Sequence, residues 1–378
     1  MEKSKKIREI LTASVFILFL GGFFILHFLI KPPEVSLSER RQLAKMPEFS
    51  AETLKSAKFM DSFEDYAADS FTFRDALRTV RAFSVLDIFR LSDKSGLYYD
   101  SAVGAGKIEK LNESEARKSA EKIKKIVQSL EGLNIYYSVV PDKSVYAERD
   151  LPGFDPLRAK EILAEILGDY KYIDLSDALN AESFYRTDLH WDQTKIASAA
   201  NKILDEMYPA WSAISAVNPE IYDVITAGKF QGVYTGQLAL PLAPDILTYY
   251  KGSDWLVKYA NEKTLELEEG PLYDVEAFAG RDPYDIFLRG AQPFITLERL
   301  DADGNPAADG KELYIFRDSF TSSLAPLLAV YYSKVTLIDL RYLDSRVLPL
   351  LTEFTSGADV LFLYSSQVLN NSSILLVS

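Results

Sequence analysis

Between Ile10 and Ile30 the chain reads ILTASVFILFLGGFFILHFLI, without one formally charged residue. A helix needs about 20 apolar residues to cross the hydrocarbon core of a bilayer. The preceding MEKSKKIR carries Lys3, Lys5, Lys6 and Arg8. The positive-inside rule therefore puts that end in the cytoplasm and the rest of the chain outside. A cleaved signal peptide would have a shorter apolar core and a small-residue cleavage site. Here Lys31-Pro32-Pro33 follows, with no A-x-A pattern. A core helix of a soluble domain is the third alternative, and the lack of a polar face weighs against it. The expectation is a single-pass cell-membrane anchor over residues 10–30, with His27 near its outer end. Gly21-Gly22 would offer a small-residue face to another helix.

The remainder reads as a folded protein. Hydrophobic residues make up 48% of the chain and include 22 Tyr and 22 Phe, too many for a solvating tail. A formal net charge of -13 repels phosphate backbones and sets nucleic acid aside as a partner. The absence of Cys removes disulfides, thiolate metal sites and Cys nucleophiles together. There are two histidines, His27 in the apolar run and His190. One imidazole outside the membrane is a poor start for a metal site. Neither a G-x-G-x-x-G fingerprint nor a P-loop occurs, so no cofactor is expected.

Three stretches are expected: 1–31 as cytoplasmic tip and anchor, 32–95 as a mostly helical linker region packed on the catalytic domain, and 96–378 as an α/β domain. Leu97-Tyr98-Tyr99 reads as a short strand. Asn112 with Glu115 three residues on makes a capping box, and Ala116, Ala120, Ile123, Val127 and Leu130 line one helix face. Ile135–Val140 reads as a buried strand. Asp155-Pro156 opens another helix. Tyr172–Leu175 reads as a strand and Thr194–Met207 as a helix. The alternation lapses over 208–309, which reads as an irregular insertion of short strands and loops. It resumes with strand Glu312–Phe316, helix Thr321–Tyr332, strand Lys334–Leu340, helix Asp344–Phe354 and strand Ala358–Tyr364. Helix and strand in alternation predict a parallel sheet flanked by helices.

Two segments carry possible chemistry. The apolar strand Leu313–Phe316 runs into Arg317-Asp318-Ser319-Phe320 and then a helix. Parallel sheets bind ligands at the carboxyl ends of their strands. A serine on that turn presents its hydroxyl there, and its own N–H faces a developing oxyanion. The alternative is a Ser that only caps the helix. The second segment is Arg186-Thr187-Asp188-Leu189-His190-Trp191. A serine nucleophile needs a base, and His190 is the one imidazole outside the apolar run. Asp188, two residues away on an extended chain, lies on the side that can hold its Nδ1–H. A local Asx or capping contact is the plainer reading of the pair. Nucleophile, base and orienting carboxylate in the order Asp, His, Ser are acceptable, since a triad is defined by geometry.

These segments resemble the DHHW proteins of Gram-positive bacteria, relatives of the alginate O-acetyltransferases with SGNH-hydrolase-like domains. Asp188-Leu189-His190-Trp191 and Asp318-Ser319-Phe320 carry the resemblance most directly. SERRQLAKMPEF (Ser38 to Phe49), DSFTFRDAL (Asp69 to Leu77), VVPDKSVYAERDLP (Val139 to Pro152), Tyr284–Gly290 (YDIFLRG), VTLIDLRYL and ADVLFLY agree with it. The resemblance implies Ser319 as nucleophile, His190 as general base and Asp188 as its partner. It also implies an extracytoplasmic O-acyltransferase, with acetyl as the expected group and a cell-surface or exopolysaccharide as acceptor. A multi-spanning membrane O-acyltransferase would supply the acyl group. Two departures stand out. Leu189 replaces the first His of the family's pair. Arg289-Gly290-Ala291-Gln292 stands where the family often has Gly-Gly-Asn, so Gly290 or Gln292 would have to join Ser319 as oxyanion donors. Trp191 stacks on a sugar or belongs to the core. Lys143, Arg186, Arg317 and Arg341 contact an anionic glycan or are ordinary surface cations. A glycan acyl esterase and a non-catalytic glycan-binding or assembly subunit are the rival functions.

Overall fold

The computed structural model describes every residue except 1, 37, 169, 208–216, 219–221, 252–254, 262, 302 and 308–309. The chain forms two units, Met1–Leu91 with Gly236–Pro241, and Ser92–Thr235 with Leu242–Ser378. Residues 1–31 and the stretch that follows them to Leu91 therefore belong to one unit.

The first unit opens with α1 (Glu2–Leu29), in which Lys5–His27 is long and apolar enough to cross a membrane. A short ladder pairs β1 (Val35–Ser36) with β2 (Arg41–Gln42). Then come α2 (Ala51–Lys55), α3 (Lys58–Ser70) and α4 (Arg74–Phe83). What fastens this unit is charge. Asp69 accepts two hydrogen bonds from Arg41, at 2.6 and 2.7 Å, and a third from the Ala44 N–H at 2.9 Å. Arg74 and Arg78 of α4 pair with Glu39 at 2.6 and 3.0 Å. Ser38–Phe49 and Asp69–Leu77, two separate phrases in the sequence, are thus one ionic cluster.

The second unit starts with the hairpin of β3 (Leu97–Asp100) and β4 (Gly104–Lys107). It continues with α5 (Glu113–Val127), β5 (Asn134–Val140), α6 (Pro156–Leu167), β6 (Lys171–Tyr172) and α7 (Ala197–Met207). Next come β7 (Val224–Phe230), α8 (Val233–Leu238, of which 236–238 belongs to the first unit), β8 (Asp245–Tyr250), β9 (Trp255–Ala260), β10 (Leu267–Gly270) and β11 (Phe294–Arg299). The chain closes with β12 (Glu312–Arg317), α9 (Thr321–Ala329), β13 (Lys334–Ile338), α10 (Leu348–Leu351), β14 (Asp359–Ser365) and α11 (Ser366–Leu369).

One eight-stranded sheet, in the order β10-β9-β11-β13-β12-β14-β5-β6, organises this unit. β13, β12, β14, β5 and β6 run parallel, and helices flank them on both faces. Alternation along β12 feeds both faces. Leu313 and Ile315 pack with Ile203 of α7 and Leu324 and Leu328 of α9. Tyr314 and Phe316 pack with Ile123 of α5 and Leu163 of α6. Asn112 caps α5 by accepting from the Glu115 N–H, and Asp155 caps α6 from the Arg158 N–H.

The stretch 208–309 differs from expectation. Its residues 208–216 lie outside the described residues, but β9, β10 and β11 belong to the central sheet. β11 lies antiparallel to β13 with Phe294 opposite Ile338, and β9 lies antiparallel to β11. β7 and β8 of this stretch form a separate two-stranded sheet. The predicted helix over Asp344–Phe354 shrinks to α10 and a short turn before it.

Candidate active site

β12 ends at Arg317, and Asp318 and Ser319 form the turn into α9. Asp318 holds that turn. One carboxylate oxygen accepts from the Phe320 N–H at 3.1 Å, and the other from the Ser365 N–H at the end of β14 at 2.7 Å. The serine is thus fixed to the carboxyl edges of two neighbouring parallel strands. Its own N–H donates to no acceptor among the described residues.

His190 comes from a tight loop closed by the bridge between Phe184 and Trp191 and by the Tyr185 N–H donating to the His190 carbonyl. The structure brings Asp188, His190 and Ser319 together. His190 Nδ1 lies 2.7 Å from Asp188 Oδ1, and Nε2 lies 2.9 Å from Ser319 Oγ. A carboxylate accepts only, so Asp188 fixes the proton on Nδ1 and leaves Nε2 as the acceptor for the serine O–H. Asp188 and His190 are buried, and Ser319 is partly open.

The loop is held from several directions. Asp188 Oδ2 accepts from the Val233 N–H at 3.0 Å. Lys143 is buried and donates to the carbonyls of Ala105, Tyr185 and Asp188 at 2.8, 2.7 and 3.0 Å. Burial pulls its ammonium down to about 8, and all three of its protons are used at neutral pH. Gly104, at φ +77°, and Gly232 allow the close approach. A Cβ on either would lie within 2.3 Å of the backbone of Arg186 or Thr187. Trp191 donates from Nε1 to the Phe320 carbonyl at 2.8 Å, and Gln193 donates to the Ser323 carbonyl at 2.8 Å. These two bonds sew the histidine loop to the start of α9.

Several sequence expectations need correction. Trp191 is fully buried and hydrogen-bonded, so it cannot stack on a sugar. Lys143 spends its charge on backbone carbonyls and does not face a glycan. Arg317 is also fully buried, and desolvation lowers its pKa. Its guanidinium donates to Ser322 Oγ at 2.7 Å and to the carbonyls of Gln292 and Gly290 at 3.1 and 3.4 Å. Gly290 and Gln292 therefore serve Arg317 as acceptors. Their N–H groups point elsewhere: that of Gly290 to the Phe287 carbonyl and that of Gln292 to the Gly290 carbonyl. The Gln292 side-chain amide donates to the Arg289 carbonyl at 3.1 Å. They are not ready oxyanion donors. Arg341 is bidentate on buried Asp339, at 2.9 and 2.7 Å. Arg186 remains exposed, with its guanidinium on the carbonyls of Ser101 and Ala102.

Sequence reasoning missed Tyr284. Its ring lies face to face with the His190 imidazole, centroids 3.9 Å apart and planes 7° apart. Burial pushes its phenol well above the usual range. It stays a neutral donor to Ser323 Oγ at 2.7 Å. Its place in Tyr284–Gly290 was the available signal, but nothing local in that phrase points to a histidine. Among the described residues no cluster of His, Asp and Glu suits a metal ion.

No protein-family model matches the sequence, and no curated protein does. Solved structures do. A DHHW family protein from Eubacterium siraeum is 19% identical with a TM-score of 0.59, covering 75% of this chain and 94% of its own. PatB1 from Bacillus cereus is 19% identical with a TM-score of 0.57, covering 72% of this chain and 97% of its own. PatB1 with a sulfonyl adduct is 17% identical with a TM-score of 0.57, covering 75% and 98%. The chain shares the fold of a DHHW family protein, in keeping with the resemblance of its sequence phrases.

Proposed function

We propose that this chain is a membrane-anchored serine O-acyltransferase that works outside the cytoplasm, on a polysaccharide. The observation that carries the reading is the continuous hydrogen-bonded line from Asp188 through His190 to Ser319. In the first step Ser319 Oγ attacks the acyl carbonyl of the donor, and its proton passes to His190 Nε2. The donor's leaving group takes that proton, and an acyl-serine remains. In the second step a glycan hydroxyl gives its proton to Nε2 and attacks the ester, releasing the acylated glycan and restoring the serine. Asp188 remains ionised throughout and stabilises the imidazolium. The Ser319 N–H is the donor available to the oxyanion. The acyl group, taken to be acetyl, would come from a multi-spanning membrane O-acyltransferase, and α1 would keep the enzyme beside it.

The test uses the full chain in detergent micelles with p-nitrophenyl acetate, followed by peptide mapping. Wild type should release p-nitrophenol and carry acetyl on Ser319. Ser319→Ala and His190→Ala should each lose at least about 1000-fold in kcat/KM. One PatB1 structure holds a sulfonyl adduct, so a sulfonyl fluoride is a natural second probe, expected to label Ser319. Turnover unchanged in both variants would remove the proposal and favour a binding or assembly subunit. Adding oligosaccharide separates transfer from hydrolysis. An acylated glycan marks a transferase, and free acetate alone marks an esterase.

A further inference from the structure

In the first unit, α4 is turned inside out for a helix in water. Arg74, Arg78 and Ala82, four residues apart on one ridge, face the protein; Arg74 and Arg78 are 14% and 20% exposed and are paired with Glu39. The opposite ridge carries Phe73, Leu77 and Val80, with Phe83 beside them, and these are 53%, 42%, 61% and 53% exposed. A water-facing helix places these residues the other way round. The apolar ridge also continues onto α1. The rings of Phe71 and Phe73 lie against Phe23, with centroids 5.8 and 6.2 Å away. An apolar groove, walled by Leu20 and Phe24 on one side and by Met46, Phe63 and Leu77 on the other, runs between them.

We propose that α4 lies in the outer membrane–water interface with its apolar ridge in lipid. This rests on reading α1 as a membrane anchor. If α1 spans the bilayer, Phe23 sits roughly 10 Å of helix below Ile30. Rings in contact with Phe23 then sit at the depth where interfacial helices insert, about 5–10 Å below the headgroups. Lipid is the occupant that the geometry favours, because the ridge and the groove are continuous with the lipid-facing surface of α1. The ionic cluster explains how the arrangement is held. Arg74 and Arg78 anchor the polar side of α4 to Glu39.

The chain has no cysteine, so a single introduced one takes a spin label uniquely. Full-length protein in lipid nanodiscs would be labelled at Val80→Cys, at Phe83→Cys, at Val15→Cys in α1, and at Leu350→Cys, which is exposed in the second unit. Collision with oxygen reports lipid, and collision with a water-soluble nickel chelate reports water. The expected result is that Val80 and Phe83 follow Val15, with oxygen collisions exceeding nickel collisions, while Leu350 shows the reverse. Nickel access at Val80 and Phe83 equal to that at Leu350, with Val15 still in lipid, would overturn the interfacial helix and leave the anchor intact. Low access to both reagents at Val80 and Phe83 would overturn it in favour of a protein partner. Nickel access at Val15 would remove the anchor reading and this inference with it.

Discussion

Two buried side chains beside the Asp188–His190–Ser319 line shape the histidine. Lys143 neutralises three converging carbonyls behind the loop, and Tyr284 covers one face of the imidazole. The ring face of an aromatic residue favours a nearby cation, so under the proposed mechanism Tyr284 should support the imidazolium formed when Ser319 gives up its proton. Tyr284→Leu is expected to lower kcat about 5- to 10-fold, the effect of roughly 1 kcal/mol, with little change in KM. Tyr284→Phe keeps the ring and loses only the bond to Ser323, so it should restore most of kcat. If both variants lose the same activity in step with thermal stability, Tyr284 is only a core residue. Asp188, His190 and Ser319 could be picked out from the sequence because histidine is scarce and a strand ends in Asp-Ser. Lys143 and Arg317 misled because most of their partners are main-chain carbonyls, which leave no trace in the residue string; Trp191 took the core alternative. Tyr284 was hidden for a related reason: ring stacking between distant segments has no spacing rule.

Among the elements, the junction of β12 and α9 with the 184–191 loop decides whether the relay stays connected. Trp191 Nε1 and Gln193 Nε2 both end on carbonyls of the segment after Ser319. Trp191→Phe would keep most of the buried volume and remove the side-chain donor to the Phe320 carbonyl. Losing one such hydrogen bond costs about 0.5–1.5 kcal/mol. A small displacement of His190 from Ser319 also slows the reaction. We expect a lower melting temperature and a drop in kcat of about 10-fold or more, while KM changes little. Wild-type kcat in a destabilised Trp191→Phe would show that the tie supports folding alone. Most strands and helices were readable from period and caps, as at Asn112, Asp155 and β12. The antiparallel wing was not. β11 reads FITLER, and nothing in that pattern says that it pairs antiparallel with β13, at the edge of the five parallel strands.

At the scale of the whole molecule, the two units are held by different forces. The second has two apolar layers on either face of its sheet. Among the described residues of the first, the buried apolar side chains are Leu43, Ala82 and Leu238. Its stability should therefore follow its charges. The Arg41 guanidinium, the Ala44 N–H and Arg74 hold Asp69 down at about 2, below its ordinary 3.8. A carboxylate with a lowered folded-state pKa stabilises fully above the unfolded value and loses that contribution as the pH falls through the folded one. For Asp69 the loss begins below about pH 4, runs through about pH 2 and is complete roughly a unit lower, and it amounts to about 1–2 kcal/mol once solvent screening is allowed for. Heating full-length protein in detergent micelles at a series of pH values should give two transitions, as independent units do. The one belonging to the first unit should move down in temperature below about pH 4. Asp69→Asn should lower that transition at neutral pH and flatten its response to acid, while the transition of the second unit stays in place. A single transition, or an acid response that survives in Asp69→Asn, would place the control of stability outside the Arg41–Asp69 cluster.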